Sequence, residues 1–297
     1  MSYRLIAEEK PHHSVSRLAR MLGVSRAGFY AWQSRPPSER SRKDADLTER
    51  ITKIHTETDG IYGAPRIHAE LAGEHGLRVG RKRVARLMRK AGLEGVSRRR
   101  RYRVGTTTPG GEAPAAPDLV ERDFTADEPD QLWFADITYV PTWQGWLYLA
   151  AVVDACSRYC VGWSMRDDLR ADLVYDALGM AVTRRKPDAE LIHHSDRGSQ
   201  YRALAFGKLL EDSGLLPSMG SRGDAYDNAA MESFMASIKT ELINRRRFKT
   251  KDEARTAIFS YIEAFYNPRR RHSALGQMSP ADYERMLADR ELEASLA

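Results

Sequence analysis

The chain has 297 residues, is 42% hydrophobic and 30% charged, and carries a formal net charge of +6. That balance suits globular domains and argues against wholesale disorder, and the length admits one large domain or two to three smaller ones. No run approaches the roughly 18 apolar residues of a membrane span. Met1–Lys10 lacks a signal-peptide core, and two cysteines, Cys156 and Cys160, complete neither a disulfide framework nor a zinc site. Secreted, membrane and zinc-finger proteins are excluded as expectations.

The charge is unevenly placed. Residues 1–104 hold 24 Lys and Arg against 11 Asp and Glu, while the remaining 193 residues hold 23 against 30. A basic N-terminal third on an acidic remainder reads as a nucleic-acid-binding module joined to a different kind of domain.

In chain order, Val15, Leu18, Ala19 and Leu22 form an apolar stripe at helical spacing, and Gly23 ends it. Ser25 can cap a second helix bearing Ala27, Phe29, Tyr30 and Trp32. Helix, glycine-containing turn and capped helix make a helix-turn-helix pattern over Ser14–Trp32. A second unit spans Pro65–Leu93. Pro65 suits a first helical position, Ile67 and Leu71 share a face, and Val84, Leu87 and Met88 form the next stripe. Arg81, Lys82, Arg83, Arg86, Arg89 and Lys90 cover the rest of that helix, and Arg98, Arg99, Arg100, Arg101 and Arg103 follow. Such residues would neutralise DNA phosphates and give affinity with little sequence reading. Val104–Asp118, rich in Gly, Pro, Thr and Ala, has linker composition.

Beyond the linker, Leu132–Val140 reads as a buried strand, Pro141–Gly145 as a turn, Trp146–Val153 and Tyr159–Met165 as further strands. Ala171–Arg185 carries a helical stripe. Leu191–His194 is a short strand, Ala203–Ser213 a helix, Pro217–Met219 a strand, and helices about Asn228–Asn244 and Lys251–Tyr266 close the region. Three meandering strands followed by alternating helices and strands predict an α/β domain with a mixed sheet.

Three acids stand in unusual places. Asp136 lies inside the first strand, where an ionised carboxylate is costly unless paired or bound to a cation. Asp196 follows a strand end in HHSDRGSQY, and Glu232 lies one turn inside a helix in DNAAMESF. On that helix Met231, Phe234, Met235, Ile238 and Leu242 share a face, with Glu232 and Lys239 within about 20° of each other at its border. Two aspartates and a glutamate could hold two Mg²⁺ ions, with Mn²⁺ as a substitute, for phosphoryl transfer. Asp154, Asp224 and Asp227 are rivals of the same chemical type, and periodicity does not choose among them.

The stretches WFADITYV (133–140), HHSDRGSQY (193–201), DNAAMESFMASIKTE (227–241), YGAPRIHAEL (62–71) and YNPRRRHSALGQMSPADY (266–283) resemble the second-frame product of IS3-family insertion-sequence transposases. Asp196 and Glu232 are separated by 35 residues, the spacing of this family and of retroviral integrases. The resemblance implies a ribonuclease H-like mixed-sheet core preceded by an all-α helix-turn-helix region. It places a DDE triad on Asp136, Asp196 and Glu232 and a DNA-end contact on Lys239. It also implies cleavage of element ends followed by attack of the 3′-hydroxyl on another phosphodiester. A nuclease with the same core, or a DNA-binding regulator with an inactive core, is the alternative.

The expected divisions are 1–60 and 61–103 for the helical units, 104–122 for the linker, 123–285 for the core and 286–297 for a tail. The implied partners are double-stranded DNA, as terminal repeats and target, and further copies of the chain on paired ends. The implied setting is the bacterial cytoplasm, with nucleoid association. No leucine-zipper heptads occur, and in the family these belong to an upstream frame supplied as a partner or frameshift fusion. Gly220 stands where the family leads one to expect serine. Arg245–Arg247 and Arg269–Arg271 are expected to face DNA, His12 and His13 to be surface residues, and His272 not to act in catalysis.

Overall fold

The computed structural model describes residues 1–97, 116–120, 124–196, 198–219 and 229–296. Three short helices open the chain: α1 (Ser2–Glu9), α2 (Val15–Met21) and α3 (Arg26–Ser34). The hydroxyls of Ser14 and Ser25 accept from the backbone N–H groups of Arg17 and Gly28, which caps α2 and α3. Ile6, Val15, Leu18, Ala19 and Phe29 bury together and form a small core of their own.

Next come α4 (Glu39–Glu57), α5 (Ala64–Gly73) and α6 (Arg81–Lys90). Ser38 caps α4, which buries Leu47, Ile51 and Ile54; Pro65 sits in the first turn of α5, which buries Ile67 and Leu71; and α6 buries Val84, Leu87 and Met88. Their apolar faces do not close on one another alone. They run without a break into the core beneath the sheet, through Phe134, Val140, Leu147, Leu149, Met231, Phe234 and Ile238. The basic third is therefore two bodies: a small helical cluster, and a unit that shares its core with the acidic remainder.

The sheet holds β1 (Leu132–Thr142), β2 (Gly145–Asp154), β3 (Cys160–Arg166), β4 (Ile192–Ser195) and β5 (Leu216–Met219), in the order β3-β2-β1-β4-β5. β1, β2 and β3 form an antiparallel meander, and β4 and β5 run parallel to β1. Crossovers through α7 (Ala171–Arg185) and α8 (Leu204–Asp212) make those parallel pairings possible. Their apolar sides cover one face of the sheet at Trp133, Ala135, Ala150 and Val152. On the other face lie α9 (Ala229–Glu241) and α10 (Lys251–Phe259), the latter continuing as a π-helical stretch through Ser260–Tyr266. The chain ends in α11 (Pro280–Leu296), which occupies most of the stretch that composition marks as a tail.

Two details fix the meander. Asp154 is fully buried and accepts from the N–H and hydroxyl of Ser157 and from the N–H of Asp130, at 2.7, 2.8 and 2.7 Å. It shapes the β2–β3 turn, which accounts for this rival carboxylate. Gly162 on β3 lies so close to α7 that a methyl group there would overlap the carbonyl of Ala177 and the backbone of Ala181. Gly162→Ala is therefore expected to destabilise the fold by about 1–3 kcal/mol, read as a lower urea midpoint at unchanged slope.

Candidate active site

The β1–β4 register builds the centre of the site. Ala135 pairs with Ser195 in this parallel ladder, so Asp136 and Asp196 follow at the next step on adjacent strands. Neighbouring strands lie about 4.8 Å apart, so the charge of Asp196 is felt at Asp136. Asp136 is half-buried on β1, and one of its oxygens accepts from the N–H of Ile137 at 2.7 Å. Asp196 stands exposed where β4 ends, and its oxygen accepts from the N–H of Gly198 at 2.9 Å. Gly198 is a close approach: a side chain there would crowd that same carboxylate oxygen.

The third acid comes from α9. Met231, Phe234, Met235, Ile238 and Leu242 all bury, as their spacing predicts. Glu232 is exposed in the first turn, where the helix dipole favours negative charge, and Lys239 is half-buried two turns on. Both are felt at Asp136. Burial, the charge of Asp196 and the charge of Glu232 push the Asp136 carboxyl up to about 7, with Lys239 opposing. Desolvation also raises the pKa of Asp196, against the bond from the Gly198 N–H, although the residue is exposed as a whole.

The arrangement thus gathers negative charge around Asp136, with Lys239 acting against it. Its donors are carboxylate oxygens, which suit a hard divalent cation, and the mutual repulsion at Asp136 is what such a cation would relieve. Among the described residues, however, no three His, Cys, Asp or Glu side chains are drawn together as a closed ligand set. The residues fit a divalent metal by chemistry and charge rather than as a preformed cage.

Sequence reasoning passes over Tyr201. It is buried, packs edge-on against Phe206 at 5.5 Å, and feels both Asp136 and Asp196. Among the described residues its hydroxyl has no hydrogen-bond partner. Only its position five residues after Asp196 could have drawn attention to it.

The cations divide into three groups. Arg81, Lys82, Arg89 and Lys90 are exposed on α6. Arg83 and Arg86 share that helix but both bind Asp44 of α4, each at 2.7 Å, and hold its carboxyl below the usual carboxylate range. Arg98, Arg99, Arg100 and Arg101, with Asp224, Asp227 and the loop around Gly220, lie outside the described residues.

Of the runs expected to face DNA, Arg245, Arg246, Arg247 and Arg269 are exposed, and Arg270 needs correction. Arg270 is 1% exposed and pairs with Glu241 inside the protein. Arg271 binds Glu70 and Glu74, and Arg245 and Arg246 bind Asp59. These arginines pair with acids of α9 and the α4–α5 region, which spacing alone does not show. His12 and His13 are exposed, as expected, and His272 contacts Arg270.

Comparison with known proteins agrees with this organisation. Residues 126–225 and 213–280 match two models of an integrase core domain, and residues 41–101 match an HTH-like domain. The 31 kDa protein of insertion element IS600 from Shigella sonnei is 43% identical, covering 90% of this chain and 97% of its own length. The transposase for insertion sequence element IS629 from Shigella sonnei is 38% identical, with 95% of each chain covered. Transposase InsF for insertion sequence IS3A of Escherichia coli K12 is 38% identical, over 96% of this chain and 98% of that one. Among solved structures, the HTLV-2 integrase catalytic core domain in complex with magnesium is 15% identical, with a TM-score of 0.40 over 53% of this chain and 98% of that one.

Proposed function

Since the chain belongs to the IS3 family of insertion-sequence transposases and has an integrase-like ribonuclease H core, it is a DDE-type polynucleotidyl transferase, and we propose that Asp136, Asp196 and Glu232 carry its chemistry. The observation that supports this most directly is the electrostatic convergence at Asp136: the carboxylate of Asp196 after β4, and Glu232 and Lys239 of α9, act on one half-buried acid.

On this reading the three carboxylates would hold Mg²⁺ or Mn²⁺, two ions per site, and metal held there would supply activation of the attacking oxygen and neutralisation of charge on the leaving one. The chain's own groups do the rest. Asp136 and Asp196 are set by the strand register, and Gly198 directs one Asp196 oxygen through its N–H. Glu232 closes the site from α9, and Lys239 holds a DNA phosphate two turns along the same helix. Water is the nucleophile for cleavage at an element end, and the freed 3′-hydroxyl for joining. Neither step requires a covalent protein intermediate.

The exposed face of α6 holds duplex DNA by its phosphates, and two or more copies of the chain act on paired ends. Replacing Arg81, Lys82, Arg89 and Lys90 together with alanine is expected to weaken end binding and to flatten its dependence on salt by about four ion equivalents. Arg83→Ala and Arg86→Ala are expected to do less, because Asp44 already occupies both side chains. A salt titration of affinity reads both.

The deciding assay uses full-length chain, Mg²⁺ and a labelled duplex carrying the element's end, scored for nicked and joined products. Wild type is expected to give both, and Asp196→Asn neither, while end binding is kept. Full cleavage by Asp196→Asn would refute the site. Nicking without joining would reduce the activity to that of a nuclease.

A further inference from the structure

Two sequence stretches marked above have no place in the chemistry, yet they meet in the fold. Residues 62–71 belong to α5 and the turn before it, and 266–283 run from the end of the π-helical stretch into α11. The hydroxyl of Tyr62 donates to the carbonyl of Arg269 at 2.8 Å and accepts from the N–H of Arg271 at 2.9 Å. Arg271 reaches back to Glu70 on α5.

Deeper in, Arg66 of α5 meets Glu241 of α9 at 3.2 Å. Arg270 grips both oxygens of Glu241 at 2.6 Å each, and Tyr261 donates to one of them at 2.7 Å. Arg270 also donates to the hydroxyl of Ser237 at 3.0 Å, one turn earlier on α9.

We propose that Arg66, Glu241 and Arg270 are positioning residues that lock α9, and so Glu232 and Lys239, to the DNA-holding unit α4–α6. The inference rests on the reading that α6 holds DNA and Glu232 serves the reaction. Charge chemistry is what makes the cluster more than packing. Apolar side chains of like volume would hold these elements together as firmly, but without direction. A bidentate guanidinium–carboxylate pair fixes an angle as well as a distance. Arg270 holds α9 at Ser237 and Glu241, two points one turn apart, which resists rotation of the helix about its axis. Glu232 lies nine residues before Glu241, about 13 Å along that axis. A turn of α9 would swing Glu232 away from Asp136. Arg66 extends the same anchor to α5, so DNA on α6 and the carboxylate on α9 share one frame.

Arg66→Gln is the informative variant. Its side chain is partly exposed, and Glu241 keeps both bonds to Arg270, so no buried charge is left unpaired. With full-length protein, Mg²⁺ and end duplex, this variant is expected to bind with wild-type affinity and to cleave about tenfold more slowly or worse. Its cuts are expected to spread over neighbouring phosphodiesters, a change that simple loss of folded protein would not produce, and Arg66→Lys is expected to restore much of the wild-type pattern. Cleavage by Arg66→Gln at the wild-type rate and at one position would overturn the proposal.

Amide hydrogen exchange tests the lock without catalysis. In wild type, end duplex is expected to slow exchange in α9 as well as α6; in Arg66→Gln, in α6 alone. If duplex leaves α9 unchanged in wild type, the lock is refuted whatever the chain cleaves. If α9 responds and wild type does not cleave, the reaction assignment falls and the lock stands.

Discussion

Asp136→Asn is expected to abolish cleavage and joining and, in metal-free protein, to make the fold more stable. The first effect follows from losing a carboxylate that would hold the metal. Several kcal/mol of transition-state stabilisation go with it, or roughly a thousandfold in rate or more. The second follows from the charge already present at the site. Burial, Asp196 and Glu232 raise the Asp136 carboxyl from an ordinary carboxylate value to about 7. Its folded pKa therefore exceeds its unfolded one, so the native state pays for ionisation above pH 7 and the unfolded chain does not. The penalty is full above about pH 7 and fades as pH falls toward 4, where both states are protonated. Asparagine removes it. Because the carboxylate is only half buried, the gain at pH 8 is about 2–3 kcal/mol. Thermal midpoints at pH 8 and pH 5 measure this, with the variant's advantage large at the first and small at the second. Added Mg²⁺ should then raise the midpoint of wild type more than that of the variant. A variant no more stable than wild type at pH 8 would mean that the carboxylates are not in electrostatic conflict.

Local pattern was most informative where local pattern decides structure. The stripe of Leu173, Ala177, Leu178 and Ala181 predicts a helix over Ala171–Arg185, and α7 has those bounds. The first strand is predicted to stop at Val140, before Pro141, but β1 runs to Thr142. Pro141 is tolerated there because β4 pairs only as far as Ala135, so beyond it that stretch of β1 meets β2 on one side and, on the other, a single bridge from Thr142 to Phe248. Lys251–Tyr266 reads as one helix, yet the α-helical part ends at Phe259 and a π-helical stretch follows. The wider turn brings Tyr261, Ile262 and Tyr266 inward together, a choice made by the core and not by the segment. In α4, Leu47, Ile51 and Ile54 recur at helical spacing behind Ser38, a signal submerged among charged neighbours.

The site divides in the same way. Carboxylates in a strand, at a strand end and on a helix border are conspicuous because each is unusual for its place. Tyr201 is not: a tyrosine in a loop carries no mark of a hydroxyl that finds no partner among the described residues. Nor can an arginine run disclose which member is buried. Arg269 is exposed and Arg270 is not, because only Arg270 finds a carboxylate inside, on a helix 29 positions away in the chain. Charge asymmetry similarly separates a basic third from an acidic remainder. It cannot show that α4–α6 complete their core against the sheet, since an apolar face does not name its partner.

That buried arginine supports the second large effect, a loss of about 3–5 kcal/mol in Arg270→Met. Glu241 is 5% exposed and would lose its bidentate partner, keeping Arg66 at 3.2 Å and the hydroxyl of Tyr261. The cost comes less from the missing bonds than from a carboxylate left with too little compensating charge. Arg270 is what holds the Glu241 pKa below its usual value despite burial, so without it the group is pressed to take up a proton. The variant's deficit should therefore shrink as pH falls and Glu241 protonates. Pairing Arg270→Met with Glu241→Leu removes the stranded carboxylate as well as the bond, and should recover much of the loss, although Tyr261 and the partly exposed Arg66 then lose Glu241 while Ser237 keeps its bond to the Ser233 carbonyl. Urea unfolding of wild type, the two single variants and the double variant at pH 8 and pH 5 closes the cycle. A double variant as unstable as the sum of the singles would show that the two side chains contribute independently and that Glu241 and Arg270 are not a coupled pair.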